Sequence, residues 1–157
     1  MKNTCVLVLD NIRSVENVGS LFRTAECLGV QKIILVGTTP TPLDRFGRKR
    51  KDVAKVALGA EELVPWEYVK TIEGSLETLK GEGYAVVALE QHERSEDLRD
   101  VKALRKFALI LGNEVEGVSK AALEMSEKII EIQMEGKKES LNVSVAGGIA
   151  LFKLLSE

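Results

Sequence analysis

The chain has 157 residues, of which 45% are hydrophobic and 29% charged, and its formal net charge is −2. This composition is typical of a single globular domain and excludes a disordered, low-complexity or disulfide-dense chain. The slightly acidic balance also argues against a surface that is basic everywhere, as many non-specific nucleic-acid-binding proteins have.

The N-terminal segment, MKNTCVLVLDN, has one lysine and a short apolar run that ends at Asp10. It matches neither a secretory signal nor a membrane span, so we expect a cytoplasmic protein. Cys5 lies in this apolar run and Cys27 on a helical pattern, and neither has metal-ligand spacing. We therefore expect two reduced, structural thiols and no metal site.

The first elements form a strand–helix–strand unit. TCVLVLD (Thr4–Asp10) and KIILVG (32–37) have the apolar runs of buried strands. The segment between them has apolar residues at helical spacing, namely Val18, Leu21, Phe22, Ala25 and Leu28. Ser14 or Asn17 can cap the start of this helix, and Gly29 can end it.

A strongly basic segment follows the second strand. Residues 45–55, RFGRKRKDVAK, hold six lysines and arginines against one acid, Asp52, directly after the turn-forming TTPTPLD. The segment can be a solvated surface loop. It can also bind phosphate groups, each of which would add salt dependence to binding.

Strand and helix patterns alternate through the rest of the chain. We predict helices over 51–58 and 69–80, strands at Ala85–Leu89, 107–111 and 129–132, a helix near Lys120–Met125 and a closing helix over 140–155. Because these strands are apolar throughout, the predicted fold class is α/β, with a mostly parallel sheet and helices on both faces.

Ligands of such sheets bind beyond the carboxyl ends of the strands, where three loops stand out: DNIRSVENVGSLFRTA, LGNEVEGVS and IQMEGKKESLNVS. In the first, Arg23 lies off the apolar stripe; it is either an ordinary exposed arginine or one that grips a phosphate or carboxylate. In the second, Gly112 permits close approach of a ligand, although a plain turn capped by Ser119 also explains these residues. In the third, Ser140 or Asn142 can bind a ligand beside a helix N-terminus. The absence of G-x-G-x-x-G after the first strand, and of any P-loop motif, disfavours dinucleotide and P-loop enzymes.

Three segments, NVGSLFRTA, LILGNEVEGVS and IQMEGKKESLNVSVA, occur in this order along the chain. They closely resemble the three motifs of the SpoU (TrmH-like) family of RNA 2'-O-ribose methyltransferases, in the SPOUT superfamily. The resemblance covers nearly the whole chain. It implies a single domain over residues 1–157 whose C-terminal part is tied in a deep trefoil knot, a rare exception to the rule that chains do not thread loops. It also implies a homodimer with S-adenosylmethionine as cofactor.

The resemblance also assigns site residues. Arg23 would act at the ribose 2'-hydroxyl, while Asn17, Glu114, Ser140 and Asn142 would orient it, the ribose and the cofactor. The cofactor would be held largely by backbone groups of Leu89, Glu90, Leu111, Gly112, Asn113, Ile132, Met134, Leu141, Asn142, Val143 and Ala146. A guanidinium is effectively never deprotonated, so Arg23 is a poor general base. We therefore favour a role in which Arg23 binds an RNA phosphate and stabilises the developing alkoxide charge. The group that accepts the hydroxyl proton stays open: it can be a phosphate, water or a transiently neutral Arg23.

The sequence departs from many relatives in two ways. Gln133 stands where they have a proline before the third-motif methionine. Relatives often carry an extra N-terminal RNA-binding domain, whereas the first strand of this sequence begins by Thr4, and we expect no such extension. We therefore expect the core to hold RNA through Arg13, Arg45, Arg48, Lys49, Arg50 and Lys51. Transfer RNA is the favoured substrate and ribosomal RNA the alternative; a non-catalytic RNA-binding module is a further possibility.

Overall fold

The computed structural model of the chain describes residues 2–156, so the first and last residues of the predicted domain lie outside it. Its strands are β1 (Thr4–Asp10), β2 (Lys32–Val36), β3 (Trp66–Val69), β4 (Ala85–Leu89), β5 (Glu96–Asp97), β6 (Lys106–Gly112) and β7 (Lys128–Glu131). Its helices are α1 (Val15–Leu28), α2 (Lys51–Ala57), α3 (Ala60–Leu63), α4 (Glu73–Gly81), α5 (Lys120–Met125) and α6 (Val143–Leu155), with a 3-10 turn at Leu98–Asp100.

The strands form one sheet in the order β3-β2-β1-β6-β4-β7-β5, and within residues 2–156 every pairing between these strands is parallel. Alternate residues of β1 face opposite sides, with Leu7 in a cluster that includes residues of α1, α2 and α6, and Val8 in a cluster that includes residues of α4 and α5. Helices therefore cover both faces, which explains why the strands are apolar throughout. The predicted α/β class and parallel sheet are confirmed.

Local capping signals position the helices as the sequence indicates. The Ser14 hydroxyl accepts a hydrogen bond from the Asn17 backbone N–H at 3.2 Å, and Gly29 ends α1 in the left-handed region with φ of 75°. Ser119 caps α5 by accepting from the Ala122 N–H at 3.4 Å. All three capping predictions are confirmed. They could be made from the sequence because a cap depends on residues within one turn of it.

Two predicted helix boundaries are wrong. The helix predicted over 69–80 begins only at Glu73, because Val69 pairs with Val36 in β3. The closing helix begins at Val143 rather than at Ser140, because the Asn142 side chain caps it by accepting from the N–H groups of the following turn. Ser140 therefore lies in the preceding loop. Strands β3 and β5 and helix α3 were not predicted; all three are short.

The closing helix α6 has one buried and one exposed apolar face. Ala150, Leu151 and Leu154 are buried in the core, whereas Val145, Ile149 and Phe152 are exposed. Helix α6 therefore leaves an apolar face available to a partner. Within residues 2–156, no helix is long and apolar enough to cross a membrane.

The adjacent glycines of α6 have different surroundings, and this predicts different effects of alanine. A β-carbon at Gly147 would lie 2.6 Å from Leu111 Cδ1 and 3.0 Å from Leu21 Cδ2, both in the core, whereas one at Gly148 would lie 3.6 Å from Thr24 Cγ2. We expect Gly147→Ala to lower the free energy of unfolding by about 1–2 kcal/mol, because overpacking outweighs the gain in helix propensity. Gly148→Ala should cause no loss. Urea denaturation measures both variants, and equal losses would contradict this difference.

Candidate functional site

A cavity of about 530 Å³ opens at the carboxyl ends of β4, β6 and β7 and is closed by the start of α6. This is the edge of a parallel sheet at which ligands bind. The cavity is lined by every residue that the sequence predicts to hold a cofactor: Leu89, Glu90, Leu111, Gly112, Asn113, Ile132, Met134, Leu141, Asn142, Val143 and Ala146. Its volume is within the range of small-molecule sites, roughly 300–1,000 Å³.

The loop after β6 forms a compact turn that walls one side of the cavity. The backbone N–H of Asn113 donates to Gly117 O at 3.0 Å, and the N–H of Gly117 donates back to Asn113 O at 2.9 Å. The Asn113 side chain accepts from the N–H groups of Val115 and Glu116 and donates to Asn11 O at 2.8 Å. A β-carbon at Gly112 would overlap the backbone of Gly117, so the turn can lie against β6 only where residue 112 is glycine.

Glu90 connects the end of β4 to the same turn. Its carboxylate accepts from the Val118 N–H at 2.7 Å and from the Gln91 N–H at 3.1 Å. Gly117 has a φ of 76°, and a β-carbon there would overlap the Glu90 carboxylate. The Gln91 amide also donates to Glu139 O at 2.8 Å, which attaches the loop before α6 to β4.

A chain of hydrogen bonds joins Asn17, Glu114 and Asn142. The Asn17 amide donates to Glu114 Oε2 at 3.2 Å, and the Asn142 amide donates to Asn17 Oδ1 at 3.0 Å. The Glu114 carboxylate also accepts from the backbone N–H groups of Arg13 at 3.0 Å and Ser14 at 2.8 Å. Three of the five residues predicted to act in catalysis thus connect the three motif loops.

The other two predicted catalytic residues lie outside this network. Ser140 is exposed and lines the cavity from the loop before α6. Arg23 is exposed on α1 and does not line the cavity. It lies six residues beyond Asn17, about 9 Å along the helix axis at 1.5 Å per residue. Within one chain, Arg23 and the cavity are therefore separate.

Glu114 is ionised more readily than an ordinary glutamate. Burial raises its pKa, but the backbone N–H groups of Arg13 and Ser14 stabilise the carboxylate, and the pKa falls below its usual range. The charged form therefore stabilises the fold fully above the pKa of the unfolded chain, about 4.3. That contribution is lost as the pH falls through the lower pKa of the folded state.

This pKa shift predicts a pH-dependent effect of Glu114→Gln. At neutral pH the substitution should lower the free energy of unfolding by about 1–2 kcal/mol, a value kept small because the carboxylate is partly exposed. The difference between the two proteins should shrink as the pH falls below the pKa of the unfolded chain, about 4.3, and disappear below the lower pKa of the folded carboxylate. Urea titrations across this pH range measure it, and a difference that is constant with pH would contradict the assignment.

The cavity is acidic. Five carboxylates line it, from Glu90, Glu114, Glu116, Glu131 and Glu139, and no lysine or arginine within residues 2–156 does so. Apolar side chains of β4 and β6 line the interior of the same cavity. The site therefore suits a ligand with a positive group and an apolar ring and disfavours a polyphosphate. Four polar residues that line the cavity were not predicted to do so: Gln91, Glu116, Glu131 and Glu139. Their positions beside strand ends and motif loops could have indicated them.

The residues predicted to bind RNA lie mainly in one hairpin, residues 42–50, which we call the Phe46 hairpin. Several of its basic residues are paired with acids of the same chain: Arg48 with Asp44, Lys49 with Glu62 and Arg50 with Asp52. Its positive charge is therefore partly neutralised. Lys51 follows as the first residue of α2, and the exposed Arg13 lies beside the site, where its backbone N–H contacts Glu114.

Residues 4–152 match the family model described as the SpoU rRNA Methylase family. The chain is 34% identical over 152 residues to the 23S rRNA (guanosine-2'-O-)-methyltransferase of Vibrio parahaemolyticus, a match that covers 97% of this chain and 59% of that relative. The chain thus spans less than two thirds of that relative's length.

Two solved structures have the same fold. The AdoMet-bound rRNA methyltransferase of Sinorhizobium meliloti superposes with a TM-score of 0.87 at 27% identity, over 98% of this chain and 56% of the other. A structure described as giving insight into the 2-OH methylation of C/U34 on tRNA superposes with a TM-score of 0.80 at 25% identity, over 97% of this chain and 94% of the other.

Proposed function

The chain belongs to the SpoU rRNA methylase family, and from this premise we propose that it transfers a methyl group from S-adenosylmethionine to a ribose 2'-hydroxyl of structured RNA. The observation that carries the proposal is the acidic cavity at the carboxyl ends of β4, β6 and β7. Its carboxylates suit the positive sulfonium and amino groups of the cofactor, and its apolar residues suit the adenine ring. The Sinorhizobium meliloti protein, which has the same fold, binds this cofactor.

In this proposal the cofactor supplies a methyl group on a positively charged sulfur, which is already electrophilic. The residues of the chain supply orientation and charge. The hydrogen bonds of Asn17, Glu114 and Asn142 hold the motif loops around the cavity, and Ser140 lies at its rim. The exposed Arg23 binds an RNA phosphate and stabilises the alkoxide that develops as the ribose oxygen passes its proton to that phosphate, to water or to a transiently neutral Arg23.

We favour transfer RNA as the substrate class. The structure connected with tRNA methylation is matched over 94% of its own length, so the matched fold makes up nearly all of that protein. Ribosomal RNA is the alternative substrate, and the 34% identity to a 23S rRNA methyltransferase supports it. For either RNA we propose that basic residues beside the site and in or next to the Phe46 hairpin contact phosphates. These residues are Arg13, Arg45, Arg48, Lys49, Arg50 and Lys51.

We also propose that the protein works as a homodimer through the exposed face of α6. This face, with Val145, Ile149 and Phe152, lines a surface groove that Thr24 of α1 completes. Arg23 is the neighbour of Thr24 in the chain, so a second copy on this groove would cover the surface beside the proposed catalytic arginine. We propose in addition that the chain folds as a single domain with a C-terminal knot. We also propose a cytoplasmic location, which the two free thiols of Cys5 and Cys27 support.

The proposal is tested by incubating the purified protein with labelled S-adenosylmethionine and undermodified total RNA, followed by separation of tRNA from rRNA. Label in a ribose 2'-oxygen of the tRNA pool is the expected result. Label confined to rRNA would replace the favoured substrate, and label on a base would overturn the reaction. Tight RNA binding without transfer in any pool would make the protein a binding module.

A further inference from the structure

The Phe46 hairpin presents an aromatic ring on a closed, rigid turn. Asp44 organises it: its carboxylate accepts from the backbone N–H groups of Phe46 at 2.8 Å and Arg48 at 2.9 Å, and from Arg48 Nε at 3.0 Å. Its own N–H donates to Arg48 O at 2.8 Å, and an antiparallel bridge between Leu43 and Lys49 closes the base. The tip therefore has little freedom to fold back onto the protein.

Two guanidinium groups lie close to the ring of Phe46. Those of Arg45 and Arg48 lie 4.8 and 5.0 Å from its centroid, and the residue is 66% exposed. The ring lies outside the hydrophobic core, so core packing does not explain its position. An aromatic face with flanking arginines is the arrangement with which proteins stack unpaired bases and neutralise the adjoining phosphates.

The hairpin extends from the edge of the sheet that holds the cavity. Thr39, which precedes it, is buried, and its hydroxyl contacts Leu9 O at 3.0 Å and Val36 O at 2.8 Å, at the ends of β1 and β2. After the hairpin, α2 packs closely on α1, where a β-carbon at Gly19 would lie 2.7 Å from Val56 Cβ. The hairpin is thus fixed to the helix that carries Arg23.

We propose that Phe46 stacks on an unpaired base of the RNA while Arg45 and Arg48 contact the adjoining phosphates. The inference deepens the proposed function and rests on it for the identity of the ligand as substrate. It means that the RNA is recognised next to a single-stranded nucleotide, such as one in a loop, because a base within a duplex has no free face.

A second copy of this chain is a weaker candidate for this surface. The carboxylates of Asp44 and Asp52, in and next to the hairpin, are already bound to Arg48 and Arg50. If a protein docked on the tip, it would bury the guanidinium of Arg45. Among the described residues of the hairpin, no acid pairs with Arg45, so its charge would be buried without a partner. An RNA strand supplies a phosphate for that charge and a ring for Phe46.

The test uses the full chain and a short single-stranded RNA with one 2-aminopurine, whose fluorescence is quenched by stacking. We expect Phe46→Ala to weaken binding roughly five- to hundredfold and to abolish quenching, with no change in salt dependence. Phe46→Trp should retain both properties, whereas Phe46→Leu should lose them. Arg45→Gln should reduce the slope of log K against log salt by about 0.7, the value for one phosphate of a single strand. Leu63→Ala, which removes another exposed apolar side chain (68% exposed), is the matched control and should have no effect.

Several results would overturn the inference. Binding by Phe46→Leu as tight as that of the unaltered chain would show a simple apolar contact. Equal affinity of the unaltered chain for a probe with an abasic site would show that no base is stacked, and dissociation of a dimer by Phe46→Ala would assign the ring to a protein interface. Methyl transfer to total RNA separates the two proposals. If Phe46→Ala transfers methyl groups with an unchanged KM for RNA, only the stacking role of Phe46 is contradicted. If the unaltered chain stacks on the base but transfers no methyl group, only the methyltransferase proposal is contradicted.

Discussion

Replacing Arg23 with alanine should lower kcat for methyl transfer about a hundred- to thousandfold, the loss typical of removing one charge-stabilising donor. Affinity for S-adenosylmethionine should not change, because Arg23 does not line the cavity. Stability should change little, because the side chain is exposed and lies off the buried face of α1. Single-turnover transfer at saturating cofactor and RNA measures the rate, and calorimetric titration measures cofactor binding.

Arg105→Ala is the matched control, since it removes an exposed arginine directly before β6, at the edge of the sheet opposite the cavity. It should transfer methyl groups at the unaltered rate. Arg23→Lys should recover little activity, because an ammonium retains the charge but lacks the planar fork of a guanidinium. Weaker cofactor binding in Arg23→Ala, with normal turnover at saturation, would contradict the assigned role.

Gly112→Ala should abolish cofactor binding, because a β-carbon at this position would overlap the backbone of Gly117 and the turn could no longer lie against the end of β6. Displacing backbone is harder than displacing a side-chain tip, so we expect the free energy of unfolding to fall by about 2–3 kcal/mol. Urea denaturation and calorimetric titration with S-adenosylmethionine measure the two effects.

The control for this substitution is Gly81→Ala. Gly81 is the last residue of α4, and a β-carbon there meets nothing within 4 Å. This variant should bind the cofactor normally and be at least as stable as the unaltered chain. Normal cofactor affinity in Gly112→Ala would show that the turn after β6 is not part of the binding site.

The local part of this structure could be predicted from the sequence. The Ser14 cap, the Gly29 stop and the apolar strands depend on residues within one turn or one run, and the three motifs located the loops around the cavity. Strand β3 could not be predicted in this way, because it lies at an edge, and two of its four residues, Glu67 and Tyr68, are exposed. Its sequence, Trp-Glu-Tyr-Val, does not alternate strictly between apolar and polar residues, and so short a segment cannot be distinguished from a loop.

Interactions between distant segments were beyond a reading of the sequence. Nothing near Glu114 in the chain indicates that its carboxylate accepts from the start of α1, about one hundred residues earlier. Nothing near Lys49 indicates its pairing with Glu62 across α2, which lowers the charge of the basic segment. The sequence gives no signal for Phe46, because its significance depends on the turn that exposes its ring next to the guanidinium groups of Arg45 and Arg48.

The position of β1 in the sheet has a consequence for the order of folding during synthesis. This interior strand pairs with β2 on one side and with β6 on the other, and β6 begins only at Lys106. A growing chain therefore carries β1 with one open edge through the synthesis of about one hundred residues, and open strand edges promote aggregation. The contact between Asn17 and Asn142 spans 125 positions, so the motif loops come together only when nearly the whole chain is available. Folding of this protein should accordingly be slow for its size, since its pairings are distant in sequence.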